Sequence, residues 1–162
     1  MTKAKPGQVT ILKKKNYLAM IKNSEGSCAY KNNYALIDGV EVDITEDGNA
    51  ACAYSVSWIL QPFGLCKRIH AKTSGLVNDL IKESGWYDID EPRPGCVFLY
   101  KPKYFENSKK VRDHIGLGTD DGDAISNDDE KRCLTQHPWN EYHERPCVRI
   151  LWNDKLNSEL LS

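Results

Sequence analysis

The sequence predicts an α+β fold, with N-terminal helices packed on a central antiparallel sheet. Two segments with helical apolar spacing, 50–60 and 74–83, come first along the chain. Short strand-like runs follow at 96–100, at 114–127 around a central turn, and at 148–152. The 162 residues, of which 40% are hydrophobic, suit one domain with a substantial core.

The ends of the chain and its overall charge limit the classes of function. Residues 1–15 are basic and are expected to form a loose lead-in to a single domain over 16–162. This lead-in lacks the apolar stretch of a signal peptide, and no run reaches the roughly 18 apolar residues that a membrane span needs. Cellular location is therefore left open. A net charge of −1 disfavours nucleic acid as a partner.

The middle of the chain carries clear turn signals. Asp38-Gly39 divides two strand-like runs, so a hairpin is predicted over 34–44. A polar loop at 45–49 then leads into the first predicted helix. The segment 101–112 is polar and is expected to be an excursion between strands.

Six cysteines stand at 28, 52, 66, 96, 133 and 147. None is spaced as C-x-x-C, so neither a zinc site nor a thioredoxin-type motif is predicted, and no metal or organic cofactor is expected. An even number is compatible with disulfides, but a domain of this size does not need them. Most of the cysteines are therefore expected to be reduced and buried.

Cys52 lies in the first turn of the first predicted helix, directly after the polar loop. A thiol at that place meets the positive end of the helix dipole and free backbone N–H groups, which favour the nucleophilic thiolate. The alternative is a small core residue on an alanine-rich helix. Position alone does not separate the two.

A cysteine nucleophile needs a base, and four histidines are available. His70 and His143 lie in polar segments and are expected at the surface, while His137 in Gln-His-Pro-Trp is kept in reserve as a loop residue. His114 begins a predicted strand with small residues after it. A glycine in a strand, such as Gly116, often marks the close approach of a ligand. His114 is therefore the predicted base.

The third member follows from hairpin geometry. A two-residue turn at Asp121-Gly122 would place Asn127 on the same face as His114, one diagonal step away. Ser126 would then point to the opposite face. Asp129 is the competing residue, since it would lie directly opposite His114 if pairing continued that far.

Three motifs in this order resemble the NlpC/P60 cysteine peptidases of the papain-like superfamily. Cys52–Leu60 with Phe63-Gly64 resembles their nucleophile helix, and Pro94–Phe98 resembles their "PGD" strand entry. His114–Gly118 is similar to their "HVGIY" strand. The resemblance covers roughly residues 45–130 and marks a divergent member. Three residues depart from the family pattern, namely Ala51, Cys96 and Asn127.

The resemblance implies a papain-like NlpC/P60 fold and hydrolysis of amide bonds in peptidoglycan stem peptides. It is consistent with a triad of Cys52, His114 and Asn127, with no cofactor and no metal. Peptidoglycan or another peptide is the expected substrate, the protein is expected to be a monomer, and a cell-wall or extracellular location is implied. Four residues are expected to contact substrate: Tyr34, Tyr54, His137 and Trp139.

Three alternatives remain open at this stage. The same pair of Cys and His serves acyltransferases, deamidases and thioesterases on papain-like folds. A non-catalytic cell-wall binding module on the same fold would have its four tryptophans partly lining a groove. A cytoplasmic regulatory protein is the third alternative, suggested only by the missing leader.

Overall fold

The computed structural model describes residues 7–161, which form three α-helices and nine strands. The helices are α1 Lys13–Asn23, α2 Cys52–Leu60 and α3 Thr73–Lys82. The strands are β1 Tyr34–Ile37, β2 Val40–Asp43, β3 Trp86–Ile89, β4 Val97–Phe105, β5 Lys110–Gly118, β6 Asp123–Asp128, β7 Cys133–Pro138, β8 Glu141–Tyr142 and β9 Arg145–Asn153. Within this described part, no helix has both the length and the apolar character needed to cross a membrane.

One antiparallel sheet organises the molecule, with strand order β3-β9-β4-β5-β6-β7. The two-residue strand β8 pairs with β9 beside this path. Strands β1 and β2 form a separate hairpin, with Asp38 and Gly39 at positive φ in its turn. The α+β class predicted from the sequence is therefore observed.

Helix α2 lies on strands β5 and β6 and is the most buried of the three helices. Its apolar side chains Ala53, Val56 and Leu60 are at most 2% exposed, which explains why this short segment is helical without a side-chain cap. The packing fixes the first turn of α2 against the middle of β5. That first turn carries Cys52.

Helix α1 was not predicted, because only Tyr17 and Ile21 on one face are buried. The Tyr17 hydroxyl donates to Gly95 O at 2.9 Å and so attaches the helix to the entry of β4. Residues 13–15 belong to this helix, so the predicted lead-in 1–15 is wrong over its last three residues. Residues 1–6 of the lead-in lie outside the described part.

The strand predictions were correct in place and too short in length. The predicted polar excursion 101–112 is wrong, because β4 runs to Phe105 and β5 starts at Lys110. The outer parts of both strands are exposed, and their polar residues therefore resembled a loop. His114 accordingly lies within β5 and does not begin it.

Cys28 and Cys133 form a disulfide across 105 residues of sequence. The same segment is hydrogen-bonded to β7, since Gly26 N donates to Leu134 O and Leu134 N donates to Ser27 O. The expectation that most cysteines are reduced holds for the other four, which are free thiols. The disulfide attaches the chain after α1 to the outermost strand of the sheet.

A buried carboxylate holds the loop between α2 and α3. Asp79 is fully buried and accepts hydrogen bonds from Lys67 N, Arg68 N and Ser84 Oγ, and it pairs with His70 Nε2 at 2.7 Å. His70 is therefore a structural partner, and its predicted place at the surface is wrong. Burial raises the pKa of Asp79, but the hydrogen bonds outweigh it and lower the pKa to about 2.

Removal of this carboxylate should destabilise the protein in a pH-dependent way. Asp79→Ala is expected to lower the free energy of unfolding by about 3 kcal/mol near neutral pH, because it strands several buried donors. The folded-state pKa lies below the unfolded value, so this stabilisation is lost as the pH falls from about 4 to about 2. Urea unfolding across this pH range measures it.

The matched control is Asp88→Ala, which removes an exposed ion pair with Arg149. Its cost should stay below about 1 kcal/mol. Equal losses for the two variants would show that the Asp79 network does not hold this loop.

Candidate active site

The loop before α2 is positioned by side chains that sequence reasoning left aside. Asp43 accepts from the backbone N–H groups of Asn33, Thr45 and Asp47. Gly48 has a φ of 86°, and a Cβ there would lie 2.8 Å from Arg132 Cβ, so glycine is required at this point. These contacts fix the approach of the chain to the first turn of α2.

Cys52 is half-buried at the first residue of α2, in a cavity between this helix and β5. Its Sγ lies 3.6 Å from the Thr73 hydroxyl at the start of α3 and 3.9 Å from Asp113 O. The backbone N–H groups of Ala53 and Ile115 are close enough to lower the pKa of the thiol. The thiol therefore lies beside the backbone on both sides of His114.

Burial of the Cys52 thiol acts against the thiolate that its helix position favours. Burial raises its pKa, and this effect exceeds the lowering by the Thr73 hydroxyl, by two backbone N–H groups and by the charge of Arg145. Burial is thus the largest single influence on the pKa of this thiol. Among the other free thiols, burial raises the pKa of Cys66 and of Cys96 to about 12, so these two are less reactive still.

His114 is 4% exposed and lies in β5 with the ring of Tyr142 stacked on it. The two ring centroids are 3.6 Å apart and the planes differ by 12°. Burial lowers the pKa of His114 well below its usual value, and the positive charge of Arg145 lowers it further. The imidazole is therefore neutral near pH 7 and is available as a base.

Ser126, and not Asn127, is the residue that contacts His114. The β5–β6 register pairs Leu117 with Ile125 and Gly118 with Ala124, one residue away from the predicted register. The turn contains three residues and not two, because Thr119 N bonds Asp123 O. This shift reverses the face that each β6 side chain occupies, so the predicted orienting contact of Asn127 is wrong.

Asn127 instead braces the loop before the nucleophile. Its Nδ2 donates to Gly48 O at 2.8 Å, and the side chain is 3% exposed. On the other face, Ser126 approaches β5 closely because Gly116 has no side chain: a Cβ there would lie 3.1 Å from Ser126 Cβ. Counting positions from His114 along the NlpC/P60-like motif, without a gap, would have placed the third residue at Ser126. The assumed two-residue turn led to Asn127 instead.

Ser126 connects His114 to a second imidazole. Its hydroxyl lies 2.9 Å from His114 Nε2 and 2.7 Å from His137 Nε2. His137 Nδ1 faces two backbone carbonyls, Pro138 O at 2.8 Å and Glu141 O at 3.1 Å. Burial lowers the pKa of His137, so this ring is neutral as well.

The direction of these hydrogen bonds follows from the two carbonyls. They only accept, so Nδ1 of His137 carries the hydrogen and its Nε2 accepts from the Ser126 hydroxyl. Ser126 has a single hydrogen, so its oxygen accepts from Nε2–H of His114. The lone pair of His114 is therefore on Nδ1. His137 thus sets the tautomer of a base that it does not touch.

A tight hairpin brings two further residues to the site. Tyr142 in β8 pairs with Arg145 in β9, and the turn residues His143 and Glu144 both have positive φ, at 44° and 63°. Tyr142 covers His114, while its hydroxyl donates to Asp129 Oδ1 at 2.9 Å. Asp129, the alternative third residue of the triad, is thus hydrogen-bonded to Tyr142. The turn contains no glycine or asparagine, so its sequence carries no hairpin signal. Tyr142 and Arg145 were therefore not predicted as site residues.

Two cavities meet at His114. One of about 480 Å³ is lined by Cys52, His114 and Arg145 together with charged side chains. The other, of about 460 Å³, is mainly apolar and lies between α3 and strands β4 and β5, with Val77 and Leu99 on its wall. Both share His114, so a long ligand has room on either side of this residue.

The four residues expected to contact substrate are dispersed. Tyr34 lies on the β1–β2 hairpin and is 66% exposed, and Tyr54 packs edge-on against Trp58 on α2. Trp139 stacks on Phe98 at a centroid distance of 5.6 Å. None of these three lines either cavity beside Cys52 within the described part. His137 belongs to the site through Ser126.

The tryptophans do not form a common groove. Trp86 and Trp152 are 2% and 3% exposed and belong to the core. The Trp86 indole N–H donates to Leu65 O at 2.7 Å. The prediction that all four tryptophans partly line a groove is therefore wrong for Trp86 and Trp152.

One group of side chains has the spacing of metal ligands. Asp128, Asp129 and His143 place ligand atoms within 4.8 Å of one another. Asp128 Oδ1 already accepts two backbone N–H groups and its Oδ2 pairs with His143, while Asp129 accepts from Tyr142. Hydrogen bonds thus account for these three side chains without a metal.

Comparisons with known proteins leave the family open. Neither protein-family models nor curated protein sequences match the chain. Among solved structures, it is similar to NlpC2 from Trichomonas vaginalis, with a TM-score of 0.49 and 14% sequence identity. The similarity covers 91% of this chain and 49% of that one, so the chain spans about half the length of the neighbour. At this TM-score the similarity assigns neither a family nor an activity.

The protonation of His114 can be tested directly. Its ring nitrogens should show a neutral imidazole at about pH 6, with the hydrogen on Nε2, because burial holds the pKa below its usual value. Nitrogen NMR of ¹⁵N-histidine-labelled protein measures both properties. In His137→Ala the Ser126 hydroxyl is free to reverse, so a mixture of the two tautomers is expected.

The matched control is His143→Gln, which leaves the Ser126 hydrogen bonds in place and should keep the hydrogen on Nε2. A protonated His114 at about pH 6, or a tautomer unchanged by His137→Ala, would contradict the direction assigned to these hydrogen bonds.

Proposed function

We propose that this protein is a cysteine hydrolase that cleaves amide bonds, with Cys52 as nucleophile and His114 as base. One observation carries the proposal: the hydrogen bonds from His137 through Ser126 leave Nδ1 of a buried, neutral His114 unprotonated. Nucleophilic catalysis by cysteine needs a thiol and a base close together, and Cys52 lines the same cavity as His114.

The first step transfers the thiol proton. Sγ leaves its contact with Thr73, gives its proton to Nδ1 of His114 and attacks the carbonyl carbon of the substrate. The resulting imidazolium donates Nε2–H to Ser126 and is held in place by the ring of Tyr142. Because thiol and imidazole are both neutral at rest, His114 acts here as a general base and not as half of a preformed ion pair.

The later steps reuse the same groups. The tetrahedral oxyanion is proposed to accept from the backbone N–H of Cys52 at the start of α2, where the helix dipole is favourable. His114 then returns its proton to the leaving amine, and a thioester forms on Cys52. Water, activated by Nδ1 of His114, hydrolyses this thioester and restores the thiol.

The substrate is proposed from the family resemblance of the motifs at Cys52, Pro94 and His114. Those motifs resemble NlpC/P60 peptidases, and we propose peptidoglycan stem peptides as the substrate and a papain-like fold as the scaffold. The triad of that proposal contains Ser126 in place of Asn127. The two cavities on either side of His114 support a substrate that extends in both directions.

Purified peptidoglycan should release peptide fragments when it is incubated with the protein, as measured by mass spectrometry. Cys52→Ala should abolish release, and His114→Ala should lower its rate by about 10²–10⁴-fold, the usual contribution of a general base. His143→Gln is the control and should stay close to the parent. Transfer of the acyl group to an added amine, with little hydrolysis, would instead identify an acyltransferase. Full activity of Cys52→Ala would refute the proposed nucleophile.

Ser126 and Asn127 make a second pair of variants that separates catalysis from bracing. Ser126→Ala should lower kcat by up to about 10²-fold with little change in stability, since His114 loses the group that sets its tautomer. Asn127→Ala should instead lower the free energy of unfolding by about 1–3 kcal/mol, because Gly48 O loses its buried donor. Rates on peptidoglycan and urea unfolding measure the two effects. The reverse pattern would return the orienting role to Asn127.

A further inference from the structure

Arg145 is a buried cation in the same cavity as the candidate nucleophile. It begins β9, is 6% exposed, and lines the cavity with Cys52 and His114. A charged guanidinium is rarely buried to this extent without a partner, because its desolvation costs several kcal/mol. The contacts that Arg145 makes therefore indicate what it is for.

Two main-chain carbonyls account for one edge of the guanidinium. Nε donates to Lys101 O at 2.8 Å and Nη2 donates to Arg112 O at 2.7 Å. Among residues 7–161, Nη1 has no hydrogen-bond partner and no carboxylate lies within 4.0 Å of the side chain. The N–H pair of Nη1 and Nη2 at the other edge is thus available to a ligand.

Other arginines of the chain contrast with this one. Four of them are ion-paired to a carboxylate: Arg68 to Glu83, Arg112 to Glu46, Arg132 to Asp47, and Arg149 to Asp88. These four are more exposed than Arg145. The most buried arginine therefore has neutral partners only, and its positive charge remains uncompensated by direct contact.

We propose that Arg145 binds a carboxylate of the substrate next to the amide bond that Cys52 attacks. The inference rests on the proposed function and narrows its substrate class to peptides with a free carboxylate close to the scissile bond. A planar fork of two N–H groups matches the two oxygens of a carboxylate, and such bidentate pairs are stronger than neutral hydrogen bonds.

The surrounding charges fit one incoming negative group. Two of the acidic side chains that line the cavity are Asp113 and Asp129, and Asp129 accepts a hydrogen bond from the Tyr142 hydroxyl. Glu46 is ion-paired to Arg112 and Lys110. With Lys72 the cavity has four basic and three acidic side chains, so a carboxylate on Arg145 leaves it balanced.

The hairpin that presents Arg145 supports a ligand role. His143 and Glu144 hold positive φ, which costs energy in residues with a side chain, and the turn places Arg145 directly beside Tyr142. The guanidinium carbon lies 5.9 Å from the Tyr142 ring centroid. The same two-residue turn thus positions the ring that covers His114 and the cation that would bind substrate.

Alkylation of Cys52 with two reagents of nearly equal size tests the charge preference. In each reaction the sulfur forms a bond to the CH₂ carbon, iodide leaves, and the thiol proton is released. Iodoacetate carries a carboxylate and iodoacetamide does not. The rate with iodoacetate divided by the rate with iodoacetamide at Cys52 is measured by mass spectrometry. This ratio should fall about tenfold in Arg145→Gln, because a nearby unit charge in a partly buried site is lost.

Two variants control this measurement. Arg145→Lys keeps the charge without the fork and should retain part of the preference, which also covers the case that Arg145→Gln fails to fold. Arg149→Gln removes an exposed, ion-paired arginine from the same strand and should leave the ratio within about twofold. An unchanged ratio in folded Arg145→Gln, as judged by circular dichroism, overturns the proposal.

Protection of the parent protein gives a second readout. N-acetylglycine should slow the alkylation of Cys52 by iodoacetamide at lower concentrations than N-acetylglycinamide does, and equal protection would refute the carboxylate site. Neither readout requires hydrolysis. A charge preference without amide cleavage would reject only the proposed function, whereas cleavage without a charge preference would reject only the carboxylate site.

Discussion

The site depends on one hydroxyl placed between two imidazoles. The Ser126 hydroxyl has a single hydrogen. The backbone carbonyls beside His137 require a hydrogen on its Nδ1, so Ser126 donates to Nε2 of His137 and not to His114. This polarity leaves the lone pair of His114 on Nδ1. It requires β5 and β6 to approach closely, which the missing side chain at Gly116 permits.

Burial determines the resting state of the candidate pair. Cys52 and His114 are both driven towards their neutral forms, because charged groups lose hydration in this cavity. A neutral pair is less prone to reaction with solvent oxidants than an exposed thiolate. In the proposed mechanism, charge separation takes place when substrate is bound, in the cavity that Arg145 also lines.

Sequence patterns predicted the elements better than their register. The hairpin at Asp38-Gly39 and the helix that starts at Cys52 follow from local signals, and the structure contains both. The turn at Asp121-Gly122 contains one residue more than its dipeptide suggests, and this shift exchanged Ser126 for Asn127. A glycine turn signal shows where a hairpin lies but does not give the number of residues in its loop.

The remaining site residues had no local signal. Tyr142 and Arg145 reach His114 through a turn made of His143 and Glu144, two residues that seldom adopt positive φ. Their proximity to Cys52 is a property of the folded sheet, since over ninety positions of sequence separate Arg145 from the thiol. Such long-range placement is inaccessible to pattern reading along one chain.

The two kinds of sulfur in this protein set opposite requirements on its handling. The proposed nucleophile Cys52 must stay a free thiol, whereas Cys28 and Cys133 are joined as a disulfide that attaches the segment after α1 to β7. Cys28 is exposed, so reductants have access to that bond. Because β7 also carries His137, a strong reductant that keeps Cys52 free would also open the cross-link to the strand that bears His137. Purification therefore calls for a narrow redox poise, in which the thiol is kept reduced and the cross-link stays closed.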